Sequence, residues 1–341
     1  MAIDLYEPRE LNALLEERLT PRSFFRKFLF SNEETHTTEH IDVDKIRGAR
    51  RVARFVNPKL AASNVQRTGY TTDSLTPPLI KEQMTLTAED LKKRLPGENI
   101  YGAGDPNERQ AYYVGKDSAE LDEMIERREE LMCRDVLFTG KINIKGEGVD
   151  YDIDYGLTNI LTTSNVEASR WDKTTATIMK NIRAAKRQVA KACGANVSMM
   201  IVGEDVADVF DTNDKLLKLL DNRRTEAGML KWEEDKVHGT TYIGNLAGVN
   251  IYAYDEYYRD PDTGEEKLMV PAKQVLYADP TVGMTMHYGT VVDLDIGSYA
   301  QARVGKSWTI KDPSSRIFLM QSRPLPDPRR IDSYLVDTVL D

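Results

Sequence analysis

Residues 105–156 read DPNERQAYYVGKDSAELDEMIERREELMCRDVLFTGKINIKGEGVDYDIDYG, and the first two thirds of this stretch predict one long helix. Asp105-Pro106 favours the helix start, because an acidic cap followed by proline satisfies an orphan donor and fixes the backbone. Gly140 favours the helix end. Four apolar residues recur at helical intervals between these limits: Leu121, Ile125, Met132 and Val136. A helix with so narrow an apolar stripe packs along a single surface, and we expect its many acids to be exposed.

A strand pair is predicted directly after the helix. From Val149 to Tyr155 apolar residues alternate with Asp150, Asp152 and Asp154, and residues 145–148 (KGEG) supply a turn. The three aspartates share one face and could gather a hard cation, but a calcium loop needs its acids on a tight turn. We therefore interpret them as a solvated or salt-bridged face. The whole stretch predicts a long helix laid against an antiparallel hairpin.

The composition indicates a soluble protein that stays where it is made. The 341 residues can bury a sizeable core and predict about two domains. Residues 1–10 lack an apolar region and no uncharged run is long enough for a membrane helix, so we expect neither a secretory signal nor a membrane span. Two cysteines, Cys133 and Cys193, are too few for a disulfide framework, which favours a reducing cytoplasm. The net charge of −9 argues against a general nucleic-acid binder, because such binding requires clustered cations that face phosphate.

Two segments before the long helix carry surplus surface. Residues 24–30 (FFRKFLF) place five large apolar side chains in seven positions, which form either ordinary core or an arm that docks on another subunit. Residues 47–67 carry several arginines and no acid. They border a stretch, 57–105, that is rich in proline and glycine yet too apolar for a disordered linker. We interpret this stretch as a projecting two-stranded loop that is ordered by a neighbour. Its predicted elements are strands at 64–70 and 80–87 and a short helix at 88–95.

A regular mixed α/β pattern begins near residue 168. Its predicted helices are 172–193, 204–210 and 214–220. Its predicted strands are 197–202, 243–254, 267–270, 275–278 and 283–293, the last with one buried face. Strand character returns at 316–321, and we expect this late strand to lie beside the central hairpin. The domain that starts at residue 105 is then discontinuous.

Enzyme motifs are incomplete in this chain. Gly305-Lys306-Ser307 resembles the end of a phosphate-binding loop, but that motif requires glycine where Ala300 stands. His36-x-x-Glu39-His40 has the spacing of one zinc-protease class, which needs a helix to place both rings on one face. Thr37 and Thr38 are poor helix formers, so we interpret both histidines as loop residues. We predict no catalytic residues, no metal site and no cofactor.

Several short blocks, spread over nearly the whole chain, carry a resemblance to a known family. The blocks are Phe24-Phe25-Arg26, Asn57-Pro58, Gln83-Met84-Thr85-Leu86, Leu137-Phe138-Thr139-Gly140-Lys141, residues 149–156 and Phe318-Leu319-Met320-Gln321-Ser322. In their order, and in chain length, they resemble the major capsid proteins of lambda-like tailed phages, the capsid protein E family.

The resemblance implies the Hong Kong 97-like capsid fold, an α+β fold in four parts. These parts are an N-terminal arm (1–44), an extended β loop (45–104), a discontinuous peripheral domain with a long spine helix (105–167 and 315–341) and an axial α/β domain (168–314). The resemblance further implies a non-enzymatic protein that self-assembles into hexamers and pentamers of an icosahedral shell around double-stranded DNA. It also implies maturation by domain rearrangement. The expected partners are other copies of the chain, a decoration protein, a scaffold, a portal and weakly contacted DNA. We expect assembly in the host cytoplasm and a final place in the virion.

The expected assembly mechanism places the arm and the loop over adjacent subunits. The candidate inter-subunit residues are Phe24, Phe25, Phe28, Arg47, Arg50, Arg51, Arg54, Glu120, Glu123, Glu126 and Glu130. The arginines meet acids of the next subunit in weak pairs, which set register and keep assembly reversible. Some members of the wider fold join subunits by a lysine–asparagine bond; Lys59, Asn57 and Asn64 are present here, but we do not predict that bond.

Two alternative functions stay open at this point. An encapsulin-type cellular compartment has the same fold but holds a cargo enzyme in place of a genome. A metalloprotease that uses His36 and His40 is the other alternative. Nuclease-protected DNA within purified particles separates the phage shell from the encapsulin.

Overall fold

The computed structural model describes residues 23–46, 53, 55, 57, 70–93, 106–146, 148–173, 175–213, 228–235, 240–260, 263–295 and 297–341. Four of the candidate arginines, at positions 47, 50, 51 and 54, and the predicted helix 214–220 lie outside these ranges. Among the helices within them, none is both long and apolar enough to cross a membrane.

The long helix and the hairpin are confirmed. Helix α1 spans Pro106–Thr139, and its four predicted stripe residues are buried. Gly140 then adopts φ +70°, a left-handed conformation that glycine tolerates without strain. Strands β5 (Lys141–Gly146) and β6 (Val149–Asp154) pair antiparallel directly after it.

A seven-stranded mixed sheet forms the largest β element of the described structure. Its strands, in spatial order, are β7 (Ile160–Leu161), β21 (Leu335–Thr338), β14 (Gln274–Ala278), β8 (Met199–Val202), β11 (Val249–Tyr254), β10 (Thr240–Leu246) and β9 (Gly228–Asp235). The pairs β8–β11 and β7–β21 are parallel and the others are antiparallel.

The seven-stranded sheet is covered on both faces. Helices α2 (Ile178–Ala192) and α3 (Glu204–Thr212) belong to the apolar cluster of one face, which includes Met200 and Val202. The alternate residues, Met199 and Ile201, belong to the cluster that contains the C-terminal half of α1. Because neighbouring side chains of a strand point to opposite faces, a fully buried strand such as β8 is apolar at every position.

Two three-stranded sheets join distant parts of the chain. One contains β18 (Val304–Ile310), β19 (Ser315–Ser322) and β4 (Ile80–Thr87) in that order. The other contains β1 (Asn32–Thr35), β15 (Thr285–Tyr288) and β20 (Pro324–Asp327), with β1 parallel to β15.

The remaining elements are short. The two-stranded sheets are β2 (Ile41–Ile46) with β3 (Tyr70–Leu75), β12 (Tyr257–Arg259) with β13 (Glu266–Leu268), and β16 (Val291–Asp293) with β17 (Gly297–Tyr299). A π-helical turn covers Phe25–Leu29. Turns of 3₁₀ helix cover Asp90–Lys92, Thr163–Asn165, Glu167–Ser169, Pro280–Val282 and Ile331–Ser333.

The late strand was predicted correctly but its neighbours were not. Strand β19 pairs with β4 and β18 and not with the β5–β6 hairpin, whose two strands pair only with each other in the described structure. Strand β19 packs against helix α1 near Leu121 and Ile125, at the end of the apolar stripe that lies away from the hairpin. Phe318 and Met320 of β19 belong to the same apolar cluster as these two residues. The C-terminal strand β21 pairs with β14 in the seven-stranded sheet, so the predicted peripheral part (315–341) and the predicted axial part (168–314) share one sheet. The division into domains stays a prediction.

Other element boundaries differ for local reasons. Helix α2 begins at Ile178 and not at residue 172, because the intervening segment is rich in threonine, a poor helix former. The predicted strand 283–293 is interrupted after Tyr288, and all four residues of β15 are buried, whereas one buried face was predicted. Met286 and Tyr288 belong to the main apolar cluster, and Thr285 and His287 on the alternate face are buried as well. Of the predicted helix 88–95 the structure describes residues 88–93, which contain a single 3₁₀ turn.

Replacing Gly140 by alanine is expected to destabilise the subunit by about 2–4 kcal/mol. The new Cβ would overlap the Leu157 side chain, and the backbone would keep a φ that alanine adopts only under strain. Chemical denaturation of the purified chain measures the effect. Gly115→Ala in the same helix is the control, since nothing lies within 4 Å of its added Cβ. It is expected to stabilise the helix by about 0.5–1 kcal/mol, and equal effects of the two changes contradict the prediction.

Candidate assembly surface along the long helix

Four acids of helix α1 are buried inside the subunit. We call Asp122, Glu126, Glu129 and Glu130 the buried acidic row; Glu129 and Glu130 are only 1% and 2% exposed. The expectation that the acids of this helix face solvent is therefore wrong for this row. Glu126 and Glu130, two of the candidate inter-subunit residues, bond to groups of their own chain and are not available to a neighbour.

Glu130 anchors the N-terminal segment to the helix. Its carboxylate accepts hydrogen bonds from the backbone N–H of Phe25 (2.8 Å) and of Arg26 (2.9 Å) and from the Tyr254 hydroxyl (3.1 Å). Burial raises the pKa of Glu130 to about 7, although these three donors oppose the shift. One side chain thus joins three elements: the π-helical turn, α1 and β11.

Glu126 makes a second link to the same segment. It accepts a hydrogen bond from the Ser23 hydroxyl at 2.6 Å and lies 3.7 Å from the Lys27 ammonium. Burial raises the pKa of Glu126, and the Ser23 hydroxyl and the Lys27 charge oppose the shift. The segment from Ser23 to Lys27 is therefore held by two carboxylates one helical turn apart.

Arg303 neutralises the other half of the buried acidic row. Its guanidinium donates to both oxygens of Glu129, at 2.6 and 3.1 Å, and to Asp122 at 2.8 Å. Burial alone lowers the pKa of Arg303, but the charges of Glu129 and Asp122 outweigh it and the pKa is raised. A bidentate pair of this kind has a defined geometry, so it fixes the segment before β18 against the helix.

Arg26 extends the network to the sheet of β15. It donates to the Phe30 carbonyl at 2.8 Å and to the Tyr288 hydroxyl at 3.1 Å, and it pairs with Glu33. The N-terminal segment is thus tied to strand β15 as well as to α1.

The phenylalanine cluster is divided between core and surface. Phe24 and Phe25 are buried, and Phe25 packs edge-on against Tyr254 at a centroid distance of 5.3 Å. They belong to the core of their own subunit, which corrects their assignment to an inter-subunit surface. Phe28 stacks on Phe24 at 5.4 Å but is 37% exposed. It stays a candidate contact residue.

The exposed face of α1 presents the remaining candidates. Glu120 is exposed, and Glu123 is half-exposed and pairs with Arg127 one turn later. Beside them a cavity of about 310 Å³ opens next to Ser23 and is lined by Glu123, Arg127 and Tyr257, among others. Of the described candidate residues, Glu120, Glu123 and Phe28 are therefore the ones that stay accessible, and their role in contacts between subunits stays a prediction.

The spacing of the acids in the sequence indicates the buried acidic row, although the apolar stripe alone does not. Asp122, Glu126 and Glu129 repeat at intervals of four and three, the same helical spacing as the apolar stripe beside them. An acidic stripe that borders an apolar one in this way lies at the edge of the buried face. The partners of these acids could not be predicted from the sequence, because they lie far away along the chain; Arg303 is 174 residues from Glu129.

The suspected enzyme motifs do not form sites. His36 and His40 lie outside any helix, and their rings contact different residues: His36 contacts His287, and His40 contacts Thr76. Residues 305–307 lie within strand β18 and not in a phosphate-binding loop. Asp150, Asp152 and Asp154 are exposed, as predicted, and Asp154 pairs with Lys141.

Replacing Arg303 by methionine is expected to destabilise the subunit by about 3–5 kcal/mol, because two buried carboxylates lose their cation. Arg127→Met is the matched control. It removes the exposed pair between Arg127 and Glu123 of helix α1 and is expected to lower the free energy of unfolding by less than about 1 kcal/mol. Denaturant titration of both variants measures the difference, and similar losses contradict the assignment of Arg303.

Glu130 is expected to make stability fall as pH rises. Its pKa in the folded state is about 7, against an ordinary value of 4.5, so the folded state binds more protons between these two pH values. We expect the Glu130 carboxyl to remove about 3 kcal/mol of unfolding free energy between about pH 4.5 and 7. Denaturant titrations across this range compare the wild type with Glu130→Gln, which cannot titrate. An unchanged pH dependence in the variant contradicts the prediction.

Phage capsid proteins match this chain over nearly its whole length. The phage major capsid protein E family matches residues 7–336. The major capsid protein of Escherichia phage lambda is 24% identical over 332 residues, which cover 95% of this chain and 96% of the relative. The major capsid protein of Enterobacteria phage P21 is 25% identical over 347 residues, which cover 97% of this chain and 98% of the relative.

Solved structures share the fold. A prophage capsid protein of E. coli CFT073 has a TM-score of 0.74 at 19% identity, over 97% of this chain and 98% of that one. The mature capsid of bacteriophage PhiM1 has a TM-score of 0.50 at 11% identity, over 94% of this chain and 88% of that one. The predicted α+β fold of the Hong Kong 97-like capsids is thereby confirmed. The family match covers nearly the whole chain and its relatives are structural proteins, so the chain belongs to the phage major capsid protein E family.

Proposed function

We propose that this chain is the major head subunit of a lambda-like phage, and that copies of it form the icosahedral shell around the double-stranded DNA genome. The observation that carries this function is the family match over residues 7–336. The relatives of nearly equal length, from phages lambda and P21, are major capsid proteins. The encapsulin and protease alternatives gain no comparable support.

The internal bonding suits a subunit that packs as a rigid unit. Within the buried acidic row, Glu130 accepts hydrogen bonds from the backbone of the same chain, and Asp122 and Glu129 pair with its Arg303. Contacts between subunits then use what the fold leaves exposed. This division favours reversible assembly, because weak exposed contacts can break without unfolding the subunit.

The β2–β3 pair is the described base of the extended loop. Its strands pair with each other and with no other described strand, and they are joined through residues 47–69. At the base Ile41 and Val43 are buried in the main core, while Asp42 on the alternate face is exposed. A ribbon that is anchored at one end supports the proposed loop that reaches over an adjacent subunit.

Charge complementarity selects the site on that adjacent subunit. Arg47, Arg50, Arg51 and Arg54 fall between β2 and β3 in sequence, and residues 47–67 contain no acid. We propose that they meet Glu120 and Glu123 on the exposed face of the next subunit's helix α1, with Phe28 as an apolar contact nearby. Each exposed pair contributes only about 0–1 kcal/mol, so the contact sets register more than it adds stability.

The wider assembly follows the same proposal. Hexamers and pentamers form the shell in the host cytoplasm, together with a scaffold and a portal, and a decoration protein binds the expanded form. Maturation moves the axial part (168–314) against the peripheral part (105–167 and 315–341). Packaged DNA is contacted weakly, which fits a net charge of −9.

Electron microscopy of the purified full-length chain tests the shell and the arginine contact together. The wild type is expected to form closed shells of uniform size. Changing all four arginines to glutamate is expected to reduce shell yield or alter shell shape. Loss of the pairs to the two acids at about 0.5 kcal/mol each weakens one contact by about 1 kcal/mol, or roughly fivefold.

A matched control separates the contact from net charge. Lys180, Arg183, Arg187 and Lys191 lie on the exposed face of α2, and their change to glutamate alters the net charge equally. This variant is expected to assemble normally. Adding Glu120→Arg and Glu123→Arg to the first variant is expected to restore shells. Normal shells from the first variant overturn the arginine contact alone, whereas a wild type that stays monomeric at high concentration overturns the shell.

A further inference from the structure

Two histidines and one glutamate converge at the edge of the sheet formed by β1, β15 and β20. Glu34 lies opposite His287 in the parallel register of β1 and β15, and His36 follows β1 directly. The His36 Nε2 and His287 Nδ1 atoms are 2.9 Å apart, and Glu34 Oε2 is 3.7 Å from the same His287 atom. In the part of the chain that the structure describes, this is the group whose ligand atoms all lie within 4.8 Å of one another.

The spacing and the atom types suit a transition-metal ion. Zinc binds imidazole nitrogen and carboxylate oxygen at about 2.0–2.2 Å, so tetrahedral ligand atoms lie about 3.3 Å apart. The distances of 2.9 and 3.7 Å lie on either side of this value. Two imidazoles with one carboxylate favour zinc, cobalt or nickel over magnesium and calcium, which prefer oxygen ligands.

Further residues hold two of the three ligands in place. The other ring nitrogen of His287, Nε2, lies 3.5 Å from the buried Asp327 carboxylate. Such a carboxylate favours a proton on Nε2 and leaves the Nδ1 lone pair for a metal. The Arg329 guanidinium donates to Glu34 Oε1 at 2.6 Å, and the backbone N–H of Arg329 donates to the Asp327 carboxylate at 3.0 Å. The arginine thereby leaves Glu34 Oε2, the oxygen nearer to His287, for coordination.

The cluster is open on one side. The His287 side chain is 7% exposed, whereas that of Glu34 is 45% exposed and His36 is half-buried. An ion can therefore enter from solvent, and water can occupy a fourth position. Three protein ligands with one open position are typical of accessible zinc sites.

We propose that Glu34, His36 and His287 bind one divalent ion of the zinc class, which links the N-terminal segment to strand β15. The ion would replace the proton that His36 and His287 share, and would join residues that are 251 positions apart. The segment from Ser23 to His36 is held at Phe25 and Arg26 by Glu130. The ion would hold the other end of this segment, at Glu34 and His36. Metal binding is a property of the single subunit and is independent of the proposed shell function.

Isothermal titration of the full-length chain with Zn²⁺, after treatment with a chelator, tests the site. One Zn²⁺ per subunit is expected, with a rise in thermal stability that EDTA reverses. His36→Gln and Glu34→Gln are each expected to weaken binding by at least about tenfold. Both positions are partly exposed, so the folded state is expected to survive these changes. Co²⁺ is the second probe, since the intensity of its visible absorption reports tetrahedral coordination.

His40→Gln is the matched control, because His40 lies in the same tract but its ring contacts Thr76. It is expected to bind Zn²⁺ as the wild type does. Absence of stoichiometric binding to the wild type overturns the proposal and leaves a simple histidine–histidine hydrogen bond. Equal affinity in the wild type, His36→Gln and Glu34→Gln also overturns it, because the ion then binds elsewhere.

Discussion

The carboxylate of Glu130 has to be buried for helix α1 to pack, and it can be buried only if donors from other parts of the chain meet it. The same condition applies to Asp122, Glu126 and Glu129. An unpaired carboxylate in an apolar interior costs several kcal/mol, whereas a fully hydrogen-bonded one is tolerated. The buried acidic row therefore makes the packing of the helix conditional on three distant elements: the segment that starts at Ser23, strand β11 and the strand that follows Arg303. Such a row adds little net stability, because the cost of taking its charges out of water offsets much of their attraction to their partners.

This condition also decides which surfaces are left for other subunits. The sequence leaves the aromatic segment at residues 24–30 as either ordinary core or an arm that docks on another subunit. In the structure its backbone is anchored at Glu130 and its Phe25 ring lies in the core. Among the described candidate residues, Phe28, Glu120 and Glu123 remain accessible to solvent. The hydrogen bonds and ion pairs of the buried acidic row thus lie inside the subunit.

The family relationship shows how little residue identity this arrangement needs. The prophage capsid protein of E. coli CFT073 keeps the fold at 19% identity. Cores tolerate extensive substitution when the apolar pattern and the total volume are kept. The long helix satisfies that requirement with a stripe of only a few residues, and the seven-stranded sheet satisfies it with strands such as β8 that are apolar throughout.

The sequence by itself determined the local elements. Helix α1, its stop at Gly140, the β5–β6 hairpin and the late strand β19 follow from periodicity and from residues with special backbone preferences, which act over short distances. The blocks of resemblance also identified the family. Only the tertiary structure decided what those elements contact. It placed β19 beside β4, put Glu126 and Glu130 inside the subunit, and brought His36 to His287. The physical reason is that the partner of a buried acid or imidazole lies far away in the sequence, as Arg303 does from Glu129 and His287 from His36. Local sequence patterns carry no information about which distant residue that partner is.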